Sequence, residues 1–225
     1  MTTTYLAADW NRLGDTFLES IQQTLFMVIT TIIIGGIAGL IIGILLYTTR
    51  KGGIMESRPA YFILNFLVNF IRPIPFIILV SFLAPVTKAA VGSTIGTVPA
   101  IFVMSVAATF AVARIVEQNL VAIDPGVIEA ARSMGAAPWT IVRTVILPEA
   151  LGPLILGFTF IFIAIVDMSA MAGYIGGGGL GDFAIVYGYR AFDLEVTYVA
   201  TFIIIIIVQI AQLFGNWLSK KVMRR

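Results

Sequence analysis

Residues 20–49 read SIQQTLFMVITTIIIGGIAGLIIGILLYTT, and none of them is charged. At about 1.5 Å per residue, a helix of this length outreaches the roughly 30 Å hydrocarbon core of a bilayer. Glu19 and Arg50 bracket the run, so a first membrane span over about residues 22–47 follows. The run is too long for the apolar part of a signal peptide, and no basic n-region opens the chain. It is therefore expected to stay in the mature protein. The remainder has the same character: 59% of the 225 residues are hydrophobic, 12% are charged, and the mean hydropathy is +1.01. A soluble domain carries about twice that share of charge. The chain reads as an all-α integral membrane protein.

Four further spans follow. The second covers about 60–84 and is interrupted by RPIP at 72–75. The third covers about 92–116, with a loose glycine-containing start in VGSTIGTVP. The fourth covers about 150–174 and holds Asp167. The fifth covers about 196–219 and includes five consecutive isoleucines at 203–207. Together they make a single transmembrane domain over residues 1–225, with a polar loop at 121–149. With five spans, ten of the 14 Lys and Arg residues fall on the side of that loop and of the C-terminus: Arg50, Lys51, Arg58, Arg114, Arg132, Arg143, Lys220, Lys221, Arg224 and Arg225. The other side has only Arg12, Lys88 and Arg190, and Arg72 lies inside a span. Cytoplasmic loops carry the excess of basic residues. The loop and the C-terminus are accordingly expected in the cytoplasm, and the N-terminus outside.

Several chemistries are excluded at once. The chain has no Cys and no His, which removes thiol nucleophiles, disulfides and imidazole acid–base work. A net charge of +2 makes no case for nucleic acid. The segment WNRLGDTFLES at 10–20 places Trp10, Leu13 and Phe17 at helical spacing. It fits an amphipathic helix at the outer interface or a polar extension of span one. Gly35, Gly39 and Gly43 lie four residues apart and form a smooth stripe for close helix packing, within the chain or against a second copy.

The polar loop is the most punctuated stretch: IDPGVIEAARSMGAAPWTIVRTVILPEAL, residues 123–151. Asp124 can cap free N–H groups and Pro125 suits the first helical position, so a short helix starts there. It stops at Gly135, the residue best suited to a left-handed C′ position. Pro138 starts a second helix, which Pro148 is expected to close or kink. Ala130, Ala131 and Gly135 are small enough to let another surface approach, and Val127, Ile128 and Met134 offer apolar knobs beside Glu129 and Arg132. Such an exposed helix is either an interaction site or a structural re-entry loop.

Glu129-Ala130-Ala131, then Gly135, then Leu147-Pro148, at these spacings, resembles the EAA motif of ABC importer permeases; Val145 stands where that family usually has Ile. RPIPFIILV at 72–80 and SAMAGYIGGGGLGDFAIVYGYR at 169–190 extend the resemblance toward the permeases of methionine importers. It implies a type I ABC importer fold, with the short helix as the coupling helix that docks into an ATP-binding subunit. The residues implied in coupling are Asp124, Glu129, Ala130, Ala131, Gly135, Leu147 and Pro148. Two ATPase subunits, a second copy of this chain and an extracytoplasmic binding protein would be partners in the bacterial plasma (inner) membrane. The chain lacks a Walker A sequence and carries no cofactor of its own. ATP and Mg would belong to the partner, and this chain would be a transport subunit rather than an enzyme.

For the substrate path, Arg72 and Asp167 are the charged residues deep within predicted spans. Measured from the cytoplasmic ends they sit at depths of about 18 Å and 25 Å, within reach of each other for long side chains. They make a candidate pair at the pathway, or a structural ion pair. Pro73 and Pro75 remove two backbone donors beside Arg72, and a break there can line a cavity. The resemblance places Ser169 and Met171 at the external gate. The four glycines at 176–179 are expected to form a tight external turn that lets span four approach its symmetry mate. A rival reading is a self-sufficient channel or secondary transporter, with Arg72, Asp167 and the glycine run as its filter or ion-coupled site. A nearer one is an ABC permease for another small solute.

Overall fold

The computed structural model describes residues 9–223, so Arg224 and Arg225 lie outside the described residues. Among the described residues every regular element is helical. Helix α1 runs unbroken over Trp10–Thr49. The segment 10–20 is thus a polar extension of span one. α2 covers Arg58–Ile71 and α3 covers Phe76–Val91. Each is about 21–24 Å long, too short to cross alone. Pro73 and Pro75 account for the break between them, since neither can donate to the helical ladder. α3 outlasts the expected end at 84. It stops where Gly92 takes a left-handed conformation, φ 82°.

α4 covers Thr97–Val121, starting five residues later and ending five later than the sequence suggested. Arg114, counted among the basic residues of the cytoplasmic side at the end of the expected span, therefore lies about two turns inside the helix. α5 is the short helix Pro125–Ser133, and α6 covers Pro138–Ile141. A π turn, Val142–Ile146, joins α6 to α7, Leu147–Tyr174. Pro148 neither closes nor interrupts this helix. The wider turn just before it, where the Leu147 N–H donates to the Val142 carbonyl, accommodates the ring. The short helix α8, Gly179–Phe183, and a second π turn, Ala184–Tyr189, lead to α9, Leu194–Met223. Among the described residues four helices are long and apolar enough to cross a membrane, with a fifth span if α2 and α3 count as one broken crossing.

The chain divides into two compact units, and α1, α4, α7 and α9 each contribute to both. One unit takes the chain up to Ile33, with Pro75–Val106 and Phe162–Ala211. Its core is Leu180, Phe183, Val196 and Ala200, covered by Trp10, Leu13, Phe17 and Ile21 from the start of α1. Phe17 and Phe183 lie 5.2 Å apart, and the Trp10 indole N–H donates to Glu195 at 2.9 Å. The glycine run lies in this unit and is pinned to its own chain. The Gly179 N–H donates to Gln23 Oε1 and the Leu180 N–H to Thr24 Oγ1, both at 2.8 Å, while Thr97 Oγ1 donates to the Gly177 carbonyl at 3.2 Å. Gly178 and Gly179 hold φ near 80°, and a Cβ on either would run into Gln23 or Thr24. These glycines serve contacts with α1 and α4.

The other unit takes Ile34–Ile74, Ala107–Ile161 and the chain from Gln212. Here the glycines of α1 bring backbones together: a Cβ on Gly39 would lie 2.5 Å from Val112 Cβ, and one on Gly43 2.5 Å from Val116 Cβ. The stripe packs within the chain, on α4. Leu46, Val68 and Ala113 complete a seam joining α1, α2 and α4. Large apolar side chains remain exposed along α1, α2 and α9, among them Phe26, Phe62, Phe66, Phe202, Leu213 and Trp217. A soluble monomer would hide such a surface.

Candidate functional site: the capped helix α5

α5 is set between two backbone stops. At its start, Asp124 Oδ1 accepts from the Gly126 N–H at 2.8 Å, and Pro125 occupies the first turn. At its end, the Gly135 N–H donates to the Arg132 carbonyl at 2.9 Å and the Ala136 N–H to the Ala131 carbonyl at 3.3 Å. This pair of bonds is a Schellman closure, and it requires the left-handed φ of 75° that Gly135 adopts. Space around Gly135 is open, since an added Cβ would meet nothing within 4 Å. Gly135 is thus required for backbone conformation, and its small size serves no close contact within the chain.

The helix has one face toward its own chain. Ala131 is buried and Ile128 half-buried, alongside the buried Ile141 and Val142 of the following segment. Ala131 therefore supports α5 from beneath and is not open to a docking surface, as its size had suggested. The outward face carries Val127, Glu129, Ala130, Arg132 and Met134. Met134 is 80% exposed, and Trp139 on α6 adds a second large apolar group at 61%. Leu147 is half-buried and Pro148 exposed at the start of α7. An exposed helix with fixed ends, a small central residue and two bulky apolar flanks can seat in a groove of another protein.

The pathway candidates are distributed over both units. Arg72 ends α2, its backbone N–H donating to the Val68 carbonyl at 3.1 Å, and its side chain is exposed, as is Pro73. These two belong to the unit that holds α5. Pro75 precedes α3; it belongs with Asp167, Ser169 and Met171 to the other unit. Asp167 is exposed on α7 and Met171 is half-buried. Ser169 is buried, and its hydroxyl donates to the Val166 carbonyl at 2.7 Å, which satisfies it within its own helix.

Two features escaped the sequence reading. Trp139 is one; its exposure depends on how α6 turns after Gly135. The other is a polar cluster in which Arg114 reaches Glu117, Asn65 and Asn69. A signal existed: two asparagines four apart in an otherwise apolar helix require a polar partner.

Comparison with known proteins agrees with this geometry. Residues 39–224 match the family model described as "Binding-protein-dependent transport system inner membrane component". A probable D-methionine transport system permease protein, MetI, of Vibrio cholerae is 41% identical over 97% of this chain and 97% of its own length. The methionine import system permease protein MetP of Bacillus subtilis is 40% identical over 80% of this chain and 82% of its own. An inward-facing structure of the MetNI methionine ABC transporter superposes with a TM-score of 0.90 at 38% identity, covering 94% of this chain and 98% of the matched one. With the EAA spacing on a capped, exposed helix, the chain belongs to the inner-membrane component family of binding-protein-dependent transport systems.

Proposed function

We propose that this chain is the membrane-spanning subunit of an ATP-driven methionine importer in the bacterial inner membrane. Two copies form the pathway, two ATP-binding subunits dock on them, and an extracytoplasmic binding protein delivers the amino acid. The observation that carries this reading is the identity of 40% and more, spread along the chain, to permeases named for methionine transport, joined to a helix built for docking.

The loop at 121–149 and the end of α9 face the cytoplasm. α5 is the coupling helix: Ala130 lets the socket approach, Met134 and Val127 fill its apolar parts, and Glu129 and Arg132 fix the register. Asp124 and Gly135 hold the helix at its full length, while Leu147 and Pro148 lead it into α7. ATP and Mg stay on the partner, which closes on nucleotide and pushes the two α5 helices together. The chain performs no chemistry on methionine. It acts by being stabilised in inward- or outward-facing states according to what the ATPase binds. Arg72, with the break at Pro73 and Pro75, and Asp167 line the route for a zwitterion; Ser169 and Met171 lie at the outer gate, Met171 as a flexible apolar closure.

Docking is tested by mixing the purified chain with a methionine-type ATPase and measuring the mass of the complex. The wild-type chain should form a two-plus-two assembly, and Ala130→Arg should abolish it without unfolding the chain. Assembly unaffected by a bulky charge at Ala130 would remove α5 from the interface.

A further inference from the structure

The polar cluster on α2 and α4 has no place yet in this mechanism. Arg114 Nη1 lies 2.6 Å from Glu117 Oε2, three residues along α4, and the two side chains are only 15% and 8% exposed. Arg114 Nη2 donates to Asn65 Oδ1 at 3.0 Å and to Asn69 Oδ1 at 2.6 Å, both on α2. Asn69 Nδ2 in turn donates to Asn65 Oδ1 at 3.0 Å. One guanidinium thus spans two helices, and its carboxylate partner holds it from behind.

Cohesion alone gives no reason for this arrangement. Removing an ion pair from water costs more than it returns unless geometry and remaining hydrogen bonds are good, and an apolar seam of similar volume holds helices at least as well. Such a seam is already present, with Val68, Leu64 and Tyr61 of α2 meeting Ala113 and Phe110 of α4. An apolar seam, however, fixes register less sharply, because hydrophobic contact is non-directional. A planar fork bonded to two amides four residues apart fits one register of α2 only. Displacing α2 by part of a turn breaks both amide bonds and leaves a half-buried guanidinium, still paired with Glu117, short of two hydrogen-bond acceptors.

Position gives the lock its use. α4 ends at Val121, and Asp124 caps α5 three residues later. α2 ends at Ile71, and its cap Arg72 opens the proline break. α5, this end of α4 and all of α2 belong to the same compact unit. We propose that Arg114, held by Glu117, is a positioning residue that locks α2 to α4, so that movement of the docking helix reaches the break at Arg72 instead of being lost as slippage. The proposal rests on the reading of α5 as the coupling helix.

The test uses the whole complex with ATPase and binding protein in proteoliposomes. Asn65→Leu/Asn69→Leu removes the α2 half of the lock and leaves the Arg114–Glu117 pair intact. ATP hydrolysis should persist while methionine moved per ATP falls about tenfold, within the usual range of a coupling free energy. Should both rates stay normal, or fall together in proportion to the amount of assembled complex, the cluster is structural and the proposal fails. A second readout is independent of substrate. The chain has no Cys, so single cysteines placed at Ser133 on α5 and at Phe70 on α2 can carry spin labels. On ATP binding both positions should shift between the two copies in the wild-type background, and only Ser133 in the double variant. A Phe70 shift retained in the variant overturns the lock. If the wild-type Ser133 label does not respond to ATP, the coupling-helix reading itself fails and the lock with it.

Discussion

At the scale of single residues, Asp124 and Gly135 were readable because what they do is local. A carboxylate before a proline and a glycine after nine helical residues solve the end problem of a helix wherever it lies. Ala131 was not readable in the same way, because its burial depends on how the next segment folds back beneath it. Since an added Cβ at Gly135 meets nothing, the cost of Gly135→Ala is that of the left-handed backbone, about 1–2 kcal/mol. That variant should weaken ATPase binding measurably, and Gly135→Asn should recover part of the loss, because asparagine tolerates this conformation. Equal losses in both would point to a direct contact at this position. Asp182, on α8 outside the spans, has its carboxyl pushed up by burial, with Arg190 partly opposing. A raised value means that the folded state prefers the protonated form. The stability this group contributes is full below its unfolded value near 4 and is lost as pH rises through the folded value. Asp182→Asn should therefore melt no lower than wild type at pH 7, and it should flatten the pH dependence of melting above pH 4. A lower melting temperature for the asparagine at pH 7 would show that the carboxylate has a stabilising partner.

At the scale of elements, the uncharged runs located the long helices, since bilayer thickness sets a length that sequence displays directly. Helix ends were less visible. The helix holding Arg114 runs on to Val121 instead of ending near 116, and Glu117, Asn65 and Asn69 satisfy the guanidinium inside it. Pro148 was read by rule as closing or kinking the helix, but a π turn lies just before it and the helix runs on from Leu147 to Tyr174. The glycine stripe of α1 was correctly seen as a packing surface, but only the structure identifies α4 as its partner. Gly43→Val would bring a side chain against Val116 and the Ala113 carbonyl, in a seam with no space to yield. Overpacking of this kind costs about 1–3 kcal/mol. Thermal unfolding of the purified chain should show a lowered midpoint, whereas Gly14→Val, where an added Cβ has open space, should change it little. Comparable shifts at the two sites would mean that the stripe is not a tight contact.

At the scale of the whole molecule, composition and the spacing of Glu129, Gly135 and Leu147-Pro148 made the membrane class and the importer family legible, and the comparisons establish the family. For the substrate path the sequence offered only candidates, the intramembrane charges Arg72 and Asp167 and the prolines beside Arg72. Pathways arise where helices from distant parts of the chain, and from a second copy, come together. Arg72 and Asp167 carry no sequence mark that distinguishes a pathway charge from a structural one. The measurement that bears most directly on the account is uptake of labelled methionine into proteoliposomes, with binding protein and ATP, with and without the methionine-type ATPase. Uptake should require the ATPase and should be lost on joint replacement of Glu129 and Gly135. Methionine flux through this chain without any ATPase would contradict it.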